Sequence, residues 1–438
     1  MRLSVLRHLA KTECFRRSNI IKSQCILSNS ICFYSTQNAE PTMHTVKSKL
    51  IQLMGIDRAY KPLQTVRSHL LSQLPASQDE LPERSMQDSF TSAIIPLSED
   101  FSLQDKYVTF LGSVRMGRLL EDMDMFAVWV AHKHLHDPRS KPGDVTPYVI
   151  VTVLVDQIDF TDHVPKSDRD IRLSGHVSWV GRSSLEAVVW LEQDAGGGNY
   201  QRLTRALFLM AARNSTNSGP AVVNRLAPKD EHEREILAGG EDRKRRRTRQ
   251  KGVSLLKSVP DAEEQGLVHS LFLRSVDLHS HRFARVLPPG GRWMGEAKQN
   301  TIVFSHPEDR NLHNNVFGGF LMRHALELAW TSAYLYGKYR PKICHISDIN
   351  FVQPVNVGSL LQMHSQVVFT QHNYMQIVVH AEVFDATSGH PTTTNVFHYT
   401  YTVPEVVASI YPRSYGEAMK YLEGRRHFLH VMGLEGSK

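Results

Sequence analysis

The sequence predicts an α+β fold in which one structural unit occurs twice. Two long apolar segments with helical spacing begin near Gly117 and near Gly319. Each is followed by four strand-like segments rich in Val, Ile and Leu, and no helices are interposed between these strands. One helix followed by a run of strands favours an antiparallel sheet over a parallel one. The length of 438 residues allows two such domains with additional segments around them.

The domain organisation follows from the positions of the two units. We assign a leader to 1–39, an N-terminal extension to 40–94, a first domain to 95–228, a charged linker to 229–284, a second domain to 285–405 and a C-terminal tail to 406–438. The extension contains short helix-like segments, and we expect it to pack on the first domain.

The first unit begins with a predicted helix over about 114–136. Strands are predicted at 148–160, 170–180, 183–194 and 200–213. Between the last two, the sequence Gly-Gly-Gly-Asn at 196–199 predicts a tight hairpin turn.

The second unit repeats this order. A helix is predicted over about 317–339, and strands at 342–352, 360–371, 374–385 and 392–403. Local similarity supports the pairing, because 156–160 reads Asp-Gln-Ile-Asp-Phe and 347–351 reads Ser-Asp-Ile-Asn-Phe.

The helix of the second unit is apolar on nearly every side. Its apolar residues are Phe320, Leu321, Met322, Ala325, Leu326, Leu328, Ala329, Trp330, Ala333 and Leu335. A helix of this kind is usually buried all round. A long helix wrapped by a curved antiparallel sheet satisfies that requirement, and this is the hotdog arrangement. The sequence therefore predicts tandem hotdog domains.

The leader carries most of the excess positive charge. Residues 1–39 hold six Lys or Arg and one acidic residue, whereas the rest of the chain has 45 basic and 43 acidic residues, a formal charge of +2. A basic, Ser-containing and acid-poor leader is typical of a mitochondrial transit peptide, which predicts a protein of the mitochondrial matrix. The alternative is a disordered N-terminus whose composition arose by chance.

Cysteine use and hydropathy exclude several classes of protein. Cys14, Cys25 and Cys32 lie in the leader, so only Cys344 remains if it is removed, and no intrachain disulfide can then form. The sequence has no Cys-x-x-Cys motif, and we predict no metal site. No uninterrupted apolar segment is as long as a membrane span, so we expect none.

The linker between the units is highly charged, above all at 241–251. Such a basic run resembles a nucleic-acid patch. We favour a solvated linker instead and expect no nucleic-acid partner, since the chain without its leader is nearly neutral. A third possibility is that the run borders the phosphates of an anionic cofactor.

Asp124 is the sharpest chemical signal in the first unit. Positions 117, 120, 124, 128 and 131 form one helical stripe, in which this carboxylate is the only polar group. A buried carboxylate is costly unless it is paired or functional. The alternative is that this stripe meets solvent at the helix edge, as we expect for the neighbouring acids Glu121 and Asp122.

Asn315 lies just before the second helix. It could cap that helix, since Asn is favoured at such positions. Gly318 and Gly319 instead allow a ligand to approach the helix N-terminus, whose N–H groups stabilise negative charge. Aligning Gly117 with Gly319 sets Ser113 against Asn315, and sets Asp124 against Leu326. Each unit thus keeps a different half of the pair, which predicts one composite site between the units.

The Asn-x-x-Gly-Gly sequence at 315–319, together with Asp124 of the other unit, resembles the mitochondrial acyl-CoA thioesterases with tandem hotdog domains. The resemblance covers about 95–405. It implies hydrolysis of fatty acyl-CoA to fatty acid and CoA without a cofactor, coenzyme A being part of the substrate. It implies that Asp124 activates water, that Asn315 and the Gly319 backbone bind the thioester, and that the chain forms trimers. Whether Asp124 acts as general base or nucleophile stays open.

The same resemblance suggests a coenzyme contact at Arg182, Ser183 and Ser184, although an ordinary strand turn is an equal alternative. The second interface, with Leu326 in place of the acid, is expected to be inactive, and Glu327 is expected to pair with Arg323. Two other functions are weighed. A hotdog hydratase would use a His/Asp arrangement that we do not find, and a decayed acyl-CoA- or RNA-binding protein would draw support from the basic linker.

Overall fold

The structure is a computed structural model. It describes residues 40–434 except 57–66, 137–140, 142, 157, 162, 197, 251–254, 280–281, 312–314, 348 and 385–388, so the leader lies outside the described residues. None of the helices within those ranges is long and apolar enough to cross a membrane.

The first half of the chain supplies four α-helices and six strands in its described part. The helices are α1 (Met43–Met54), α2 (Met86–Ser89), α3 (Phe101–Tyr107) and α4 (Met116–His134), with 3-10 turns at Ser68–Gln73 and Gln78–Glu80. The strands are β1 (Thr91–Ile95), β2 (Tyr148–Val155), β3 (Ile158–Asp159), β4 (Ile171–Val180), β5 (Ser184–Gly196) and β6 (Asn199–Asn214).

The second half follows the same plan after two connecting helices. Its helices are α5 (Glu231–Gln250), α6 (Ala262–Arg274), α7 (Gly318–Gly337) and α8 (Tyr415–Met432), with 3-10 turns at Met294–Glu296 and Pro307–Asp309. Its strands are β7 (Gly291–Trp293), β8 (Lys298–Phe304), β9 (Lys342–Ile346), β10 (Ile349–Phe351), β11 (Leu360–Gln371), β12 (Tyr374–Phe384), β13 (Pro391–Thr402) and β14 (Ser409–Tyr411).

Both repeats contribute to one antiparallel sheet. The order is β1-β4-β5-β6-β2 in the first repeat and β8-β11-β12-β13-β10 in the second. The two halves join where β10 pairs with β2, with Ile349 opposite Val155, and where β3 pairs with β9. A separate parallel pair joins β14 to β7.

The segments that enter the two long helices have matching hydrogen-bonded bridges. Val108 pairs with Val114 in the first repeat, and Arg310 pairs with Val316 in the second. Ser113 bridges to the chain at Lys166, and Asn315 bridges at Asn356. The alignment of Ser113 with Asn315 is therefore confirmed at the backbone.

Helices α4 and α7 form the centre of the molecule. Helix α4 contacts β2, β4, β5 and β6, and α7 contacts β8, β11, β12 and β13, while the two helices pack on each other. The predicted burial of α7 holds for most of its apolar residues, although Leu335 is half exposed. Tandem hotdog domains, each with a long helix against an antiparallel sheet, are confirmed.

The predicted strands occur in the expected order, but two edge strands were not predicted. β1 pairs with β4, with Ile95 opposite Ile171, and β8 pairs with β11. Most of β1 lies in the segment assigned to the N-terminal extension. These residues therefore complete the sheet of the first repeat.

The basic segment between the repeats is helical and packs on the first domain. Arg243 and Arg247 both pair with the buried Glu186, at 2.5 and 3.5 Å. Arg246 pairs with Asp156 at 3.0 Å, and the Trp179 Nε1–H donates to Glu241 Oε1 at 2.6 Å. The expectation of a solvated linker is wrong for these residues, because buried carboxylates hold the arginines against the sheet.

Candidate active site

Asp124 is buried at the interface between the repeats, with 1% of its surface exposed. Its Oδ1 accepts a hydrogen bond from the Thr152 hydroxyl at 2.7 Å, and its Oδ2 accepts one from the Gly319 N–H at 2.8 Å. The alternative of a solvent-exposed stripe is therefore wrong. The carboxylate is held by one group from its own repeat and one from the other.

Two glycines allow the helices to approach closely enough for this contact. A Cβ at Gly319 would lie 2.7 Å from Glu121 Cα and 3.0 Å from the Glu121 carbonyl oxygen. At the corresponding place, a Cβ at Gly117 would lie 3.1 Å from Arg323 Cγ and 3.3 Å from its Cα. The glycine near the N-terminus of each helix therefore faces the residue that lies four positions after the glycine of the other helix.

Burial raises the pKa of Asp124 to about 6, and the nearby Glu121 adds to this effect. The hydrogen bonds from Thr152 and Gly319 act in the opposite direction, because they stabilise the carboxylate. The group is thus mostly ionised at neutral pH and can still accept a proton. That combination suits general-base chemistry.

Asn315 does not cap helix α7. The N-cap position is Phe317, which makes no side-chain capping bond. The Asn315 N–H donates to Asn311 Oδ1 at 3.1 Å, and its side-chain amide makes no hydrogen bond to another residue within the described ranges. The capping alternative is wrong, and the Asn315 residue is half-buried. The two residues before it, His313 and Asn314, lie outside the described residues.

A cavity of about 410 Å³ opens at the same interface. Glu121 and Met125, on either side of Asp124 in the sequence, line it, and so do Phe317 and Phe320, which flank the two glycines. Helix α1 and the 307–310 turn complete its walls: Lys47, Ser48, Leu50, Ile51, Met54, Ile56, Pro307, Glu308, Asp309 and Arg310. Both repeats and the N-terminal extension therefore form this cavity.

The pseudo-equivalent interface has no acid in place of Asp124. Leu326 is 5% exposed and its carbonyl accepts a hydrogen bond from the Tyr401 hydroxyl at 3.3 Å. The Ser113 hydroxyl is engaged with Thr109 Oγ1 at 2.9 Å. This region is packed and internally hydrogen-bonded.

The charged residues around the helix crossing pair differently from our expectation. Glu327 pairs with Arg115 at 2.6 Å, and Arg323 pairs with Glu121 at 3.2 Å. The predicted pairing of Arg323 with Glu327 within α7 is therefore wrong. The ion pairs instead run between the two helices and tie the repeats together.

Glu121 and Asp122 are not exposed acids. Asp122 accepts a hydrogen bond from the Tyr107 hydroxyl at 2.5 Å, and burial raises its pKa to about 7 although that hydrogen bond lowers it. Glu121 is half-buried and bonds to Arg118 at 2.7 Å. The expectation that both acids face solvent is wrong, because the carboxylate of Asp122 is hydrogen-bonded to Tyr107 and that of Glu121 is paired with Arg118.

Arg182 and Ser183 lie in the turn between β4 and β5, and Ser184 is the first residue of β5. The Gly181 N–H donates to the Ser184 carbonyl at 2.7 Å, and the carbonyls of Arg182 and Ser183 accept from Val223 and Ala212. No hydrogen bond joins these three residues to Asp124 or Asn315 in the described part of the chain. The coenzyme contact stays a prediction.

Thr152 holds the Asp124 carboxylate but is not among the site residues that the sequence predicts. It lies on β2, where it is 9% exposed, and its hydroxyl faces the helix of its own repeat. Val153 beside it is 38% exposed, so β2 alternates here between an inner and an outer face. A polar residue at an inner position of a Val-rich strand was the signal available.

Fold and site together define a tandem-hotdog protein with a buried carboxylate between its repeats. No family model matches the chain. The chain is 44% identical over 390 residues to acyl-coenzyme A thioesterase 9, mitochondrial, of Mus musculus, covering 88% of both chains. It is 42% identical over 395 residues to the protein of the same name from Homo sapiens, covering 89% of both. A solved structure of a putative oleoyl thioesterase from Lactobacillus plantarum is 11% identical and aligns with a TM-score of 0.43, over 72% of this chain and 97% of that one. The chain belongs to the acyl-coenzyme A thioesterase family.

Proposed function

We propose that this chain hydrolyses acyl-CoA to free CoA and a carboxylic acid at one composite site between its repeats. The observation that carries the proposal is the position of Asp124, buried in the first repeat and hydrogen-bonded to the helix N-terminus of the second. The family relationship supplies the reaction class, and this contact supplies a base where both repeats meet.

The reaction begins when Asp124 takes a proton from a water molecule. The water oxygen then attacks the thioester carbonyl carbon, which forms a C–O bond and places negative charge on the carbonyl oxygen. Collapse of this intermediate breaks the C–S bond, and the proton held by Asp124 returns to the leaving thiolate. The raised pKa of the carboxyl favours both proton transfers near neutral pH.

Asn315 and Gly319 have separate roles in this proposal. The Gly319 N–H is engaged by Asp124, so we assign it to holding the base in place. We assign the Asn315 side-chain amide to the carbonyl oxygen of the thioester, where a hydrogen bond strengthens as charge develops. Attack by Asp124 on the carbonyl carbon, as a nucleophile, is the alternative mechanism.

The cavity beside the site is assigned to the acyl part of the substrate. Its apolar lining from α1 and α7, including Leu50, Met54 and Phe320, suits a hydrocarbon chain. Arg182, Ser183 and Ser184 are assigned to the coenzyme end, where a guanidinium and hydroxyls can bind phosphate. No further cofactor enters the mechanism, and no nucleic acid is assigned as a partner.

The named relatives are mitochondrial proteins, and we place this chain in the mitochondrion too, specifically in the matrix. The basic, acid-poor leader supports import. A reporter protein fused to residues 1–39 should enter the matrix, and a reporter that stays in the cytosol would contradict the assignment. We also propose a homo-oligomer, a trimer of the double unit, which light scattering of the purified chain would test.

Thiol release tests the activity. The chain without residues 1–39 is incubated with a panel of acyl-CoA substrates of increasing chain length, and free CoA is measured with a thiol reagent. Release that depends on Asp124 is expected for at least one substrate. Acyl-CoA binding without thiol release would instead indicate a decayed binding protein.

A further inference from the structure

Three metal-ligating side chains meet on the opposite side of the second repeat's sheet from α7. They are His398 on β13 and Glu423 and His427 on α8, and one potential ligand atom from each lies within 4.8 Å of those from the other two. The imidazole rings of His398 and His427 stack with centroids 3.8 Å apart. The proposed thioesterase mechanism uses none of these residues.

The local structure explains why the three side chains converge. Successive residues of a strand point to opposite faces, and Phe397 and Tyr399 are fully buried in the core. His398 therefore points to the other face, where α8 packs. Glu423 and His427 are four residues apart on α8, which puts them on one side of that helix.

The His398 imidazole has a nitrogen suited to metal binding. His398 is 7% exposed, and its Nδ1 has no hydrogen-bond partner among the residues described. A ring nitrogen without a hydrogen-bond partner can present its lone pair to a metal ion.

A neighbouring histidine, His345, also has a buried ring nitrogen without a hydrogen-bond partner among the described residues. His345 is 2% exposed, bonds through Nδ1 to Asp159 at 2.7 Å, and has no partner for Nε2 in the described part of the chain. This face of the sheet therefore buries two unpaired ring nitrogens. Unpaired buried polar atoms are uncommon in native proteins and call for a partner.

The nearby cations are engaged elsewhere. Arg426 makes two hydrogen bonds to Glu264, at 2.6 and 2.7 Å, and Lys420 donates to Gln366 Oε1 at 3.0 Å. Glu423 makes no ion pair or hydrogen bond with another described residue and lies at the exposed end of the group. Its carboxylate is thus available to a divalent cation.

We propose that His398, Glu423 and His427 bind a zinc ion that fastens helix α8 to β13. Two imidazole nitrogens and one carboxylate oxygen form a donor set that zinc uses in proteins, with a water molecule as fourth ligand. Tetrahedral coordination with bond lengths of about 2.0–2.2 Å places the ligand atoms about 3.3–3.6 Å apart. The rings of His398 and His427 are stacked at an interplanar angle of 23°, so their nitrogen lone pairs do not converge on one point. Zinc binding therefore requires the half-buried His427 ring to rotate out of the stack and the exposed Glu423 side chain to change rotamer. These ligands come from separate segments without a cysteine motif, so the sequence alone predicts no metal site.

The test uses the purified chain without residues 1–39, stripped of metal with a chelator and then titrated with Zn²⁺ by calorimetry. One Zn²⁺ per chain is expected, with a higher thermal midpoint in its presence, since a ligand that binds only the folded state stabilises it. Co²⁺ in place of Zn²⁺ should give the visible absorption bands of a four-coordinate site. Absence of a stoichiometric Zn²⁺ site in the folded chain would overturn the proposal.

Variants locate the site. His427→Asn and Glu423→Gln should each weaken Zn²⁺ binding at least tenfold, and Glu423→Gln changes an exposed group, so it tests coordination without disturbing the core. The matched control is His372→Asn, an exposed histidine in the turn between β11 and β12, which should leave the affinity within twofold. Unchanged affinity in a folded Glu423→Gln variant, or equal loss in the control, would contradict the assignment.

Discussion

Asp124 differs from the other acids of helix α4 in the groups that hold it. Its two oxygens accept hydrogen bonds from Thr152 and Gly319, whereas Asp122, two positions away, accepts one from Tyr107. We predict that Asp124→Asn lowers the turnover of acyl-CoA by about a hundred- to ten-thousand-fold, the usual contribution of a general base. Steady-state thiol release from the folded variant measures this.

Asp122→Asn is the matched control, because it makes the same substitution on the same helix at a second carboxyl whose pKa burial raises. The turnover of Asp122→Asn should stay within a few fold of the wild-type value, and its free energy of unfolding should be slightly lower. Similar turnover in the two variants would remove Asp124 from the mechanism.

The pH dependence follows from the pKa of Asp124, which burial raises to about 6. Since the ionised form is the base, kcat/KM should rise with pH through a midpoint near 6. The free energy of unfolding should change with pH in the opposite direction. The pKa of Asp124 in the folded state, about 6, exceeds its value of about 4 in the unfolded state, so protonation of this group stabilises the fold at low pH. This stabilisation is lost as the pH rises through about 6.

Thr152→Val should move that midpoint upward by about one pH unit, because it removes a hydrogen bond that stabilises the carboxylate. Thr152→Ser keeps a hydroxyl and should leave the midpoint near its original value. Rate profiles of the three proteins between pH 4.5 and 8 are the measurement. An unchanged profile in Thr152→Val would mean that Asp124 is not the group that titrates.

At the residue scale, the sequence alone predicts Asp124 as a site residue but not the contacts made by Thr152 and Asp122. Asp124 was predictable because helical spacing alone places it in an apolar stripe. Thr152 was not, because its partner is fixed only when β2 packs on α4. The burial of Asp122 depends likewise on Tyr107 from a separate helix.

At the scale of elements, the crossing of α4 and α7 depends on its two glycines. A Cβ at Gly319 would lie 2.7 Å from the Glu121 backbone, whereas one at Gly117 would lie 3.1 Å from Arg323 Cγ and 3.3 Å from the Arg323 backbone. Gly319→Ala must push the helices apart, and we predict a loss of about 1–3 kcal/mol in the free energy of unfolding. Turnover should fall as well, because the Gly319 N–H then moves away from Asp124.

Gly117→Ala serves as the matched control and should cost less in stability and in turnover, since its Cβ would lie 3.1–3.3 Å from Arg323 atoms rather than 2.7 Å from the Glu121 backbone. Denaturant unfolding and thiol release on both variants provide the comparison. Equal stability of the two would show that the helix crossing tolerates a methyl group at either place.

Elements with strong periodicity were predictable, and those defined by their neighbours were not. The four main strands of each repeat and both long helices follow from local pattern, and β11 matches its predicted bounds, Leu360–Gln371. The edge strands β1 and β8 are short, and pairing with β4 and β11 defines them. The sequence predicts a solvated linker where helix α5 lies, because the charge of this segment does not reveal the buried Glu186 that its arginines contact.

At the scale of the whole molecule, the covalent link between the repeats allows them to diverge. The sheet is continuous across β2 and β10, and the ion pairs Arg115–Glu327 and Arg323–Glu121 cross between the central helices. A dimer of identical units would need every catalytic group in each copy. Here one copy has Asp124 and the other Asn315, so the site that we propose needs both halves of the chain.

The last prediction is therefore that each chain has one productive site. Asp124→Asn and Asn315→Ala should reduce turnover by amounts far from additive when combined, because both residues serve one transition state. Leu326→Ala, at the pseudo-equivalent position, should cost about 2–5 kcal/mol of stability, since Leu326 is 5% exposed, but should affect turnover only through packing.

Thiol release by the double variant decides the question. If the interface around Ser113 and Leu326 were active, about half of the wild-type rate would remain when Asp124 and Asn315 are both replaced. We expect far less, because a leucine cannot activate water, and binding without transition-state stabilisation gives little rate. A residual rate near one half would mean that the second interface is active and that each chain has two productive sites.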